Sequence, residues 1–237
     1  KKISFFLILA GSQTAEIEGI SSAGSTPMGR RYTAIADAEL LLKGPSYPKR
    51  WPLPHLPAGV SPALISYVSS NFLKIQPTII AAGLLQIPSF PHICFESSKM
   101  GPARCLSSGH AMDISRVKLL LDAGFKIGKK LSQSLLIAEC VPGGTTTAFA
   151  VLSGLGVNVN GLISGSHINP PSELKKKLVN QGLKAAKLKK NPTSIEVMAA
   201  VGDPFQPIAV GLLMGAIEAG QDILLGGGCQ MLAVLAL

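Results

Sequence analysis

The stretch 135–152, with the sequence LLIAECVPGGTTTAFAVL, joins a short apolar run to a run of small and apolar residues through a glycine turn. Leu135–Ala138 is continuously apolar, which is typical of a parallel strand that is buried on both faces. Thr145–Leu152 is predicted to form a helix. Strand, glycine turn and helix in this order indicate an α/β fold. They also place Glu139 at the carboxyl end of the strand, where open parallel sheets bind their ligands.

The turn at Gly143 and Gly144 has the composition of an anion-binding site. The first turn of a helix leaves backbone N–H groups unpaired, and the helix dipole favours negative charge there. Thr145 and Thr146 add hydroxyl donors, but the spacing matches neither a Walker A loop nor a dinucleotide fingerprint. A tight turn capped by threonine is the alternative interpretation. If the turn binds phosphate, a bulky residue at Gly143 or Thr146 should weaken nucleotide binding far more than stability.

The rest of the chain extends this pattern. We expect a Rossmann-like, three-layer α/β fold, with a parallel sheet covered by helices on both faces and an irregular, proline-rich N-terminal region. We assign 113–237 to a nucleotide (phosphate)-binding core that is truncated at its C-terminus, and 1–112 to a strand- and loop-rich region of the same domain. The predicted strands are 3–10, 78–82, 135–138 and 222–225; the predicted helices are 63–73, 114 to about 130, 145–152, 173 to about 188, one from near 195, 207–219 and 230–237.

Local signals mark the boundaries of these elements. Asp113, Ser172 and Thr193 are predicted to cap helices, and the prolines between 45 and 62 predict an extended surface segment. The apolar run Ile3–Ala10 follows two lysines, which allows a signal peptide, but it leads into a polar loop and is predicted to be a strand.

Composition restricts the function classes. Hydrophobic residues make up 47% of the 237 residues, but no apolar run approaches the roughly 18 residues of a membrane span. The net charge is +9, and seven lysines with no acidic residue lie between Lys175 and Lys190. They form either a solvated helix face or a field that attracts phosphorylated small molecules. The chain has one Trp and three Tyr, and this small number argues against nucleic-acid binding by base stacking.

The four cysteines lack the spacing of a zinc site. We therefore expect reduced thiols, no metal or other cofactor, and a cytoplasmic location.

Further candidates surround the main turn. Gly226–Gly228, with Gln230 just beyond, is a second strand-end glycine turn, where either a ligand or tight helix packing needs the space. Among Lys175–Lys177, placed unfavourably in the first turn of a helix, one side chain is expected to face an anion. His167 could contact a phosphate, although a single loop histidine is more often incidental.

The segment 139–148, ECVPGGTTTA, resembles the phosphate motif of the nicotinate-nucleotide–dimethylbenzimidazole phosphoribosyltransferase family, in particular a shorter and divergent branch of cobalamin type. The order of later segments agrees over about 113–237, including Ala200–Asp203 ahead of a helix of small residues. The resemblance implies that the ribose-phosphate of nicotinate mononucleotide passes to a benzimidazole-like base, with release of nicotinate. It also implies a homodimer. The residues implied are Gly143, Gly144, Thr145 and Thr146 for the 5′-phosphate, Lys175 (or Lys177) as its cationic partner, Glu139 at the ribose, Gly227 and Gly228 beside the nucleotide, and Ser61 and Gln86 on the side of the base.

This sequence departs from the family pattern in two ways. Gly144 stands where the family usually has Asn, and the general-base glutamate of the family is expected in a glycine-rich segment beyond Leu237. Lys1 is not an initiator Met, and we expect both ends to be incomplete. A non-catalytic nucleotide- or phosphate-binding protein, which keeps the pocket without the general base, is therefore the alternative hypothesis.

Overall fold

The computed structural model describes residues 2–24, 26–53, 61–163, 165 and 169–237. A parallel sheet of four strands in the order β2-β1-β3-β4 forms its centre. The strands are β1 (Ile3–Ala10), β2 (Thr78–Ala82), β3 (Ser134–Cys140) and β4 (Ile223–Gly226). The α-helices of the described part are α1 (Pro27–Lys43), α2 (Pro62–Leu73), α3 (Ile114–Gly128), α4 (Gly144–Gly154), α5 (Ser172–Ala186), α6 (Ser194–Val201), α7 (Phe205–Glu218) and α8 (Cys229–Ala236), and short 3-10 turns lie at Gln13–Glu16, Ser98–Met100 and Leu106–Ser108.

Strand β1 is central, because it pairs with β2 on one side and with β3 on the other. Ile8 lies opposite both Ile80 and Glu139. A strand with neighbours at both edges and helices on both faces is buried, which explains the apolar run from Phe5 to Ala10, where every residue of β1 is buried. β3 continues through Glu139 to Cys140, so that Glu139 belongs to the end of the strand rather than to the loop.

Helices cover both faces of the sheet, and the predicted three-layer α/β fold is confirmed. On one face, Phe5, Leu7 and Leu9 of β1 pack against α1. On the other face, Phe6 and Ile8 pack into a core that includes α3, α7 and α8. A further core joins α4, α5, α6 and α8. None of the described helices is both long and apolar enough to cross a membrane.

Helix α1 was not predicted, because the region was expected to be irregular. Thr26 caps it by accepting a hydrogen bond from the N–H of Gly29, and Pro27 occupies its first turn, as is common at helix starts. The helix buries polar side chains, including Arg30, Thr33 and Glu39. Because its buried side is not purely apolar, the helical period is weak in the sequence.

The predicted caps have different outcomes. Thr193 forms a capping box with Glu196. Asp113 is at the N-cap of α3 but makes no side-chain capping bond, and its carboxylate pairs with Arg104 instead. Ser172 is the first residue of α5 rather than its cap. Of the proline-rich segment, 44–53 has no helix or strand, and 54–60 lies outside the described residues, as does His167.

Helices α3 and α7 cross with their backbones in contact. A Cβ atom at Gly211 would lie 2.1 Å from the carbonyl oxygen of Leu121, and one at Gly124 would lie 2.4 Å from that of Ile208. Real Cβ atoms do not come this close to backbone oxygens, so only glycine permits the crossing. This packing fixes α7 against the sheet, and Pro204, just before α7, lies beside Gly83 at the end of β2, where a Cβ atom at Gly83 would be 3.1 Å from Cγ of Pro204.

We predict that Gly211→Ala destabilises the fold. Alanine is favoured over glycine in a helix by about 1 kcal/mol, but the overlap with Leu121 should outweigh this gain and leave a net loss of about 2 kcal/mol or more. Urea unfolding measures the difference, with Lys118→Ala on the exposed side of α3 as the matched control. A Gly211→Ala variant as stable as the control would contradict the contact.

Candidate functional site

The loops that follow the four strands meet at the carboxyl edge of the sheet. The ends of β1 and β2 touch directly, because a Cβ atom at Gly11 would lie 2.1 Å from the carbonyl oxygen of Gly83. The turn after β3 contacts the loop after β1, because a Cβ atom at Gly143 would lie 3.2 Å from the Cα atom of Ala15. The glycine turns are therefore points where backbone meets backbone.

The turn between β3 and α4 is closely packed. Gly143 has a φ of 78°, which disfavours other residues. A Cβ atom at Gly144 would lie 2.9 Å from Nε2 of Gln230. Thr146 is fully buried. A bulky residue at Gly143 or Thr146 is therefore expected to lower stability as well as nucleotide binding, and the larger effect on binding stays a prediction.

Fewer backbone N–H groups of this turn remain available to bind an anion than the sequence predicted. The N–H of Gly144 donates to the carbonyl oxygen of Val141 at 2.8 Å, and that of Thr146 donates to the carbonyl oxygen of Gly143 at 2.9 Å. The N–H groups of Gly143 and Thr145 donate to no residue in the described part of the chain. The buried hydroxyl of Thr146 likewise has no partner among the described residues. Thr145 is the partly exposed member of the turn.

Helix α5 brings a lysine to this turn. Lys175 is only 2% exposed, and its Nζ donates to Oγ1 of Thr145 at 2.9 Å. Lys176 and Lys177, in contrast, are exposed. Burial lowers the pKa of Lys175, and the nearby Cys229 partly opposes this. The arrangement places a cationic group beside the first turn of α4, where the helix dipole also favours an anion.

A buried polar network supports the turn from below. Oδ2 of Asp203 accepts hydrogen bonds from the hydroxyl of Thr147 and from Nε2 of Gln230, the latter at 2.7 Å. Its Oδ1 accepts from the N–H of Phe205 at 2.9 Å. Gln206 completes the network by donating to Oε1 of Gln230 at 3.0 Å. The network joins the starts of α4, α7 and α8, and the sequence alone had indicated no role for it.

Glu139 lies beside the turn at the end of β3 and is partly buried. Loss of solvation raises its pKa to about 7, the negative charge of Asp203 adds to the effect, and a hydrogen bond with the backbone of Val141 opposes it. Glu139 therefore changes charge near neutral pH, as groups at functional sites often do.

The glycines after β4 have separate surroundings. A Cβ atom at Gly227 would lie 3.0 Å from Cγ of Met231, whereas one at Gly228 would meet no atom within 4 Å. Packing therefore accounts for Gly227, and the space beside Gly228 is open.

The two candidates for the side of the base lie apart. Gln86 lines a cavity of about 280 Å³ at the carboxyl end of β2. A smaller cavity of about 20 Å³ shares Gly83 and Leu84 with it and reaches Pro142 of the turn after β3. Ser61 does not line either cavity. It caps α2, and its hydroxyl donates to Oδ1 of Asp37 at 3.0 Å.

The cysteines and the acidic residues form no metal centre in the described part of the chain. Cys94, Cys105, Cys140 and Cys229 are free thiols. No group of three or more His, Cys, Asp or Glu side chains within the described ranges could hold a metal ion.

A family model described as phosphoribosyltransferase matches residues 72–237. The chain belongs to this phosphoribosyltransferase family. It is 58% identical over 234 residues to a UPF0284 protein of Prochlorococcus marinus (strain MIT 9313), a match that covers 99% of this chain and 58% of the relative. It is 58% identical over 231 residues to the UPF0284 protein SYNW1869 of Parasynechococcus marenigrum (strain WH8102), which covers 98% of this chain and 58% of that relative. The chain thus spans less than two thirds of the length of these relatives.

Two solved structures share the fold of this phosphoribosyltransferase-family chain. CobT from Thermus thermophilus matches with a TM-score of 0.73 at 18% identity, over 99% of this chain and 65% of that protein. The nicotinate-nucleotide-dimethylbenzimidazole phosphoribosyltransferase from the same organism matches with a TM-score of 0.69 at 17% identity, over 99% of this chain and 64% of that protein. The α/β fold predicted from the sequence agrees with both.

We predict that Asp203 and Gln230 of this family member are energetically coupled. Gln230→Glu places a second carboxylate against Asp203 and should cost about 3 kcal/mol of stability, because two buried carboxylates repel each other and lose a hydrogen bond. Asp203→Asn in the same chain restores a donor for the new carboxylate. The double variant should therefore be more stable than the sum of the two single changes by about 1 kcal/mol or more. Additive losses in a double-mutant cycle of urea unfolding would show that the two side chains do not interact.

The pKa of Glu139 predicts a pH-dependent stability. Its folded-state pKa of about 7 lies above the ordinary value of 4.5, so the folded protein keeps a proton that the unfolded chain has released. The stability that this provides is present below pH 4.5 and is lost as the pH rises through 7. Glu139→Gln removes this loss. The free energy of unfolding of the variant minus that of the wild type should therefore be larger at about pH 8 than at about pH 5, by about 1–3 kcal/mol. Urea unfolding of both proteins at both pH values measures this change. If the variant and the wild type differ in stability by the same amount at the two pH values, the raised pKa is contradicted.

Proposed function

We propose that the protein transfers the ribose-phosphate of nicotinate mononucleotide to a benzimidazole-like base, in the assembly of the lower ligand of a cobamide. The carrying observation is the contact of Lys175 with Thr145 at the first turn of α4, in a chain of the phosphoribosyltransferase family. It provides a cation, a hydroxyl and a helix dipole at one point. Groups of this kind bind a phosphate through charge-assisted hydrogen bonds.

In this proposal the 5′-phosphate binds at Thr145, Lys175 and the N–H groups of Gly143 and Thr145. The lysine is already held at the site, because it is buried and hydrogen-bonded. Little side-chain entropy is then lost when the phosphate binds. A phosphate dianion would also raise the lowered pKa of Lys175 towards its ordinary value, since an opposite charge favours the protonated amine.

The ribose would lie beside Glu139, and the base towards Gln86. In its ionised form Glu139 would accept hydrogen bonds from ribose hydroxyls, and its pKa of about 7 makes this form available near neutral pH. In the transfer, the ring nitrogen of the base that has the in-plane lone pair forms a bond to C1′, and the proton on the other ring nitrogen passes to water. The bond from C1′ to the pyridinium nitrogen breaks, and its electron pair leaves with nicotinate as a neutral pyridine ring. Gly228, with open space beside it, would border the nucleotide, with Gly227 next to it.

The proposal extends to the division of the chain into regions, its oligomeric state and its location. We propose that 113–237 contributes the phosphate-binding core and that 1–112 completes the same domain with β1 and β2. We also propose a homodimer, which the family resemblance of the sequence implies, and a cytoplasmic location, which the free thiols favour. Size-exclusion chromatography with light scattering tests the dimer.

The decisive test compares neighbouring lysines of α5. Lys175→Met removes the buried ammonium while keeping an unbranched side chain of similar length. We expect it to weaken the binding of nicotinate mononucleotide by about tenfold or more, because a charge-assisted contact contributes roughly 1.5–3 kcal/mol. Lys176→Met removes an exposed charge from the same helix and should change the affinity by less than about twofold. Calorimetry with nicotinate mononucleotide gives both values.

Equal affinities of the two variants would overturn the phosphate site. If Lys175→Met alone weakens binding, a transfer assay distinguishes the enzyme from a non-catalytic binding protein. The assay incubates nicotinate mononucleotide with 5,6-dimethylbenzimidazole and measures released nicotinate and new ribotide by chromatography. Tight binding without nicotinate release would favour the non-catalytic alternative.

A further inference from the structure

The cavity at the carboxyl end of β2 has the size of a site for one flat base. Its volume is about 280 Å³, near the lower limit of roughly 300 Å³ for small-molecule sites. A whole nucleotide would need more space. Much of its lining is apolar, and several polar side chains interrupt it. The apolar residues are Ala81, Leu84, Ile87 and Pro88, and the polar ones are Gln86, His92, Glu96, Ser97 and Ser98.

A buried ion pair holds one wall of this cavity in place. Arg116 of α3 binds Glu96 through two hydrogen bonds, from Nε to Oε2 at 2.8 Å and from Nη2 to Oε1 at 2.7 Å. The same carboxylate accepts the N–H of Gly83 at 3.0 Å, and Arg116 also donates to the carbonyl oxygen of Gly101 at 2.8 Å. Glu96, Gly83 and Gly101 all line the cavity. The shape of the cavity is therefore set before any ligand arrives.

The hydrogen bond of His92 determines which of its ring nitrogens carries a proton. Nδ1 lies 2.9 Å from the carbonyl oxygen of Phe90. A carbonyl oxygen only accepts hydrogen bonds, so Nδ1 must be the donor. In the neutral ring Nε2 is then an acceptor. Nε2 makes no hydrogen bond to a residue of the described ranges, and the ring lines the cavity.

We propose that His92 is a specificity-determining residue: it selects a heteroaromatic base that carries a ring N–H, and its Nε2 accepts the hydrogen bond from that group. This inference rests on the proposed function, and it adds the side chain that chooses the acceptor. A planar N-heterocycle with one N–H matches a mostly apolar cavity in which Nε2 of His92 is an acceptor held in a fixed orientation by the bond of Nδ1 to Phe90. A ring of the same shape without the N–H would cover Nε2 without offering it a hydrogen bond, which weakens its binding.

A neighbouring thiol reports on this cavity without any substitution. Cys94 lines it and is exposed. A base bound there should slow the alkylation of Cys94 by N-ethylmaleimide at least about threefold at saturation. Cys105, which does not line the cavity, should react at an unchanged rate and serves as the internal control. Peptide mass spectrometry follows each cysteine separately, with benzimidazole as the probe.

The specificity itself is tested by a pair of isosteric probes. Benzoxazole has the shape of benzimidazole but has an oxygen in place of the ring N–H. By calorimetry we expect the wild type to bind benzimidazole about tenfold more tightly than benzoxazole, as one well-paired hydrogen bond allows. His92→Phe should bind both probes equally. His110→Phe, at an exposed histidine outside this cavity, should keep the tenfold preference.

Each outcome has a defined meaning. Equal binding of the two probes by the wild type, or an unchanged preference in His92→Phe, would overturn the role of His92. If benzimidazole does not protect Cys94 from alkylation, the base does not bind in this cavity. This test uses the wild-type protein, so it does not depend on the folding of a variant. Nicotinate mononucleotide is measured on the same samples. If it binds and is turned over while Cys94 stays unprotected, only the inference about the cavity fails. If Cys94 is protected but the nucleotide does not bind, the proposed function fails.

Discussion

The hydrogen bonds to the buried carboxylate of Asp203 are the constraint on which the site depends. This side chain is fully inaccessible to solvent, yet it contacts groups at the starts of three helices. Burial of a carboxyl group is costly unless its oxygens are hydrogen-bonded. Thr147, Gln230 and the backbone of Phe205 meet this requirement and thereby hold α4, α7 and α8 together at the carboxyl edge of the sheet. A turn that rests on such a network can present its remaining donors in a fixed arrangement.

The carboxylate of Asp203 also affects the ionisation of Glu139 at the edge of the site. Its negative charge adds to burial in raising the pKa of Glu139 to about 7, so that a residue at the edge of the site changes charge in the physiological range. Gln230, a second member of the network, occupies the space beside Gly144. Glycine at this position is therefore a packing requirement in this chain. Any side chain at this position would need Gln230 to move.

The parallel sheet explains why distant segments meet at one edge. β1 lies between β2 and β3, and the connections after all three strands begin on the same side. The cavity after β2 and the turn after β3 are linked there through Gly83, Leu84 and Pro142. Both cavities lie outside the carboxyl ends of the strands, which is where open α/β sheets generally bind ligands.

The sequence by itself determined the elements with strong local signals. The apolar runs of β1 and β2, the glycine turn after β3 and the cap at Thr193 depend on neighbouring residues, and they were found where they were predicted. Helix α1 was missed because its buried side carries Arg30 and Glu39, whose partners are distant in sequence. Only the tertiary structure decided which lysine reaches Thr145 and that Ser61 caps a helix away from the cavities. It also paired Asp203 with Thr147 and Gln230. Such contacts join residues far apart in the chain, and no local pattern encodes a distance between side chains that only folding brings together.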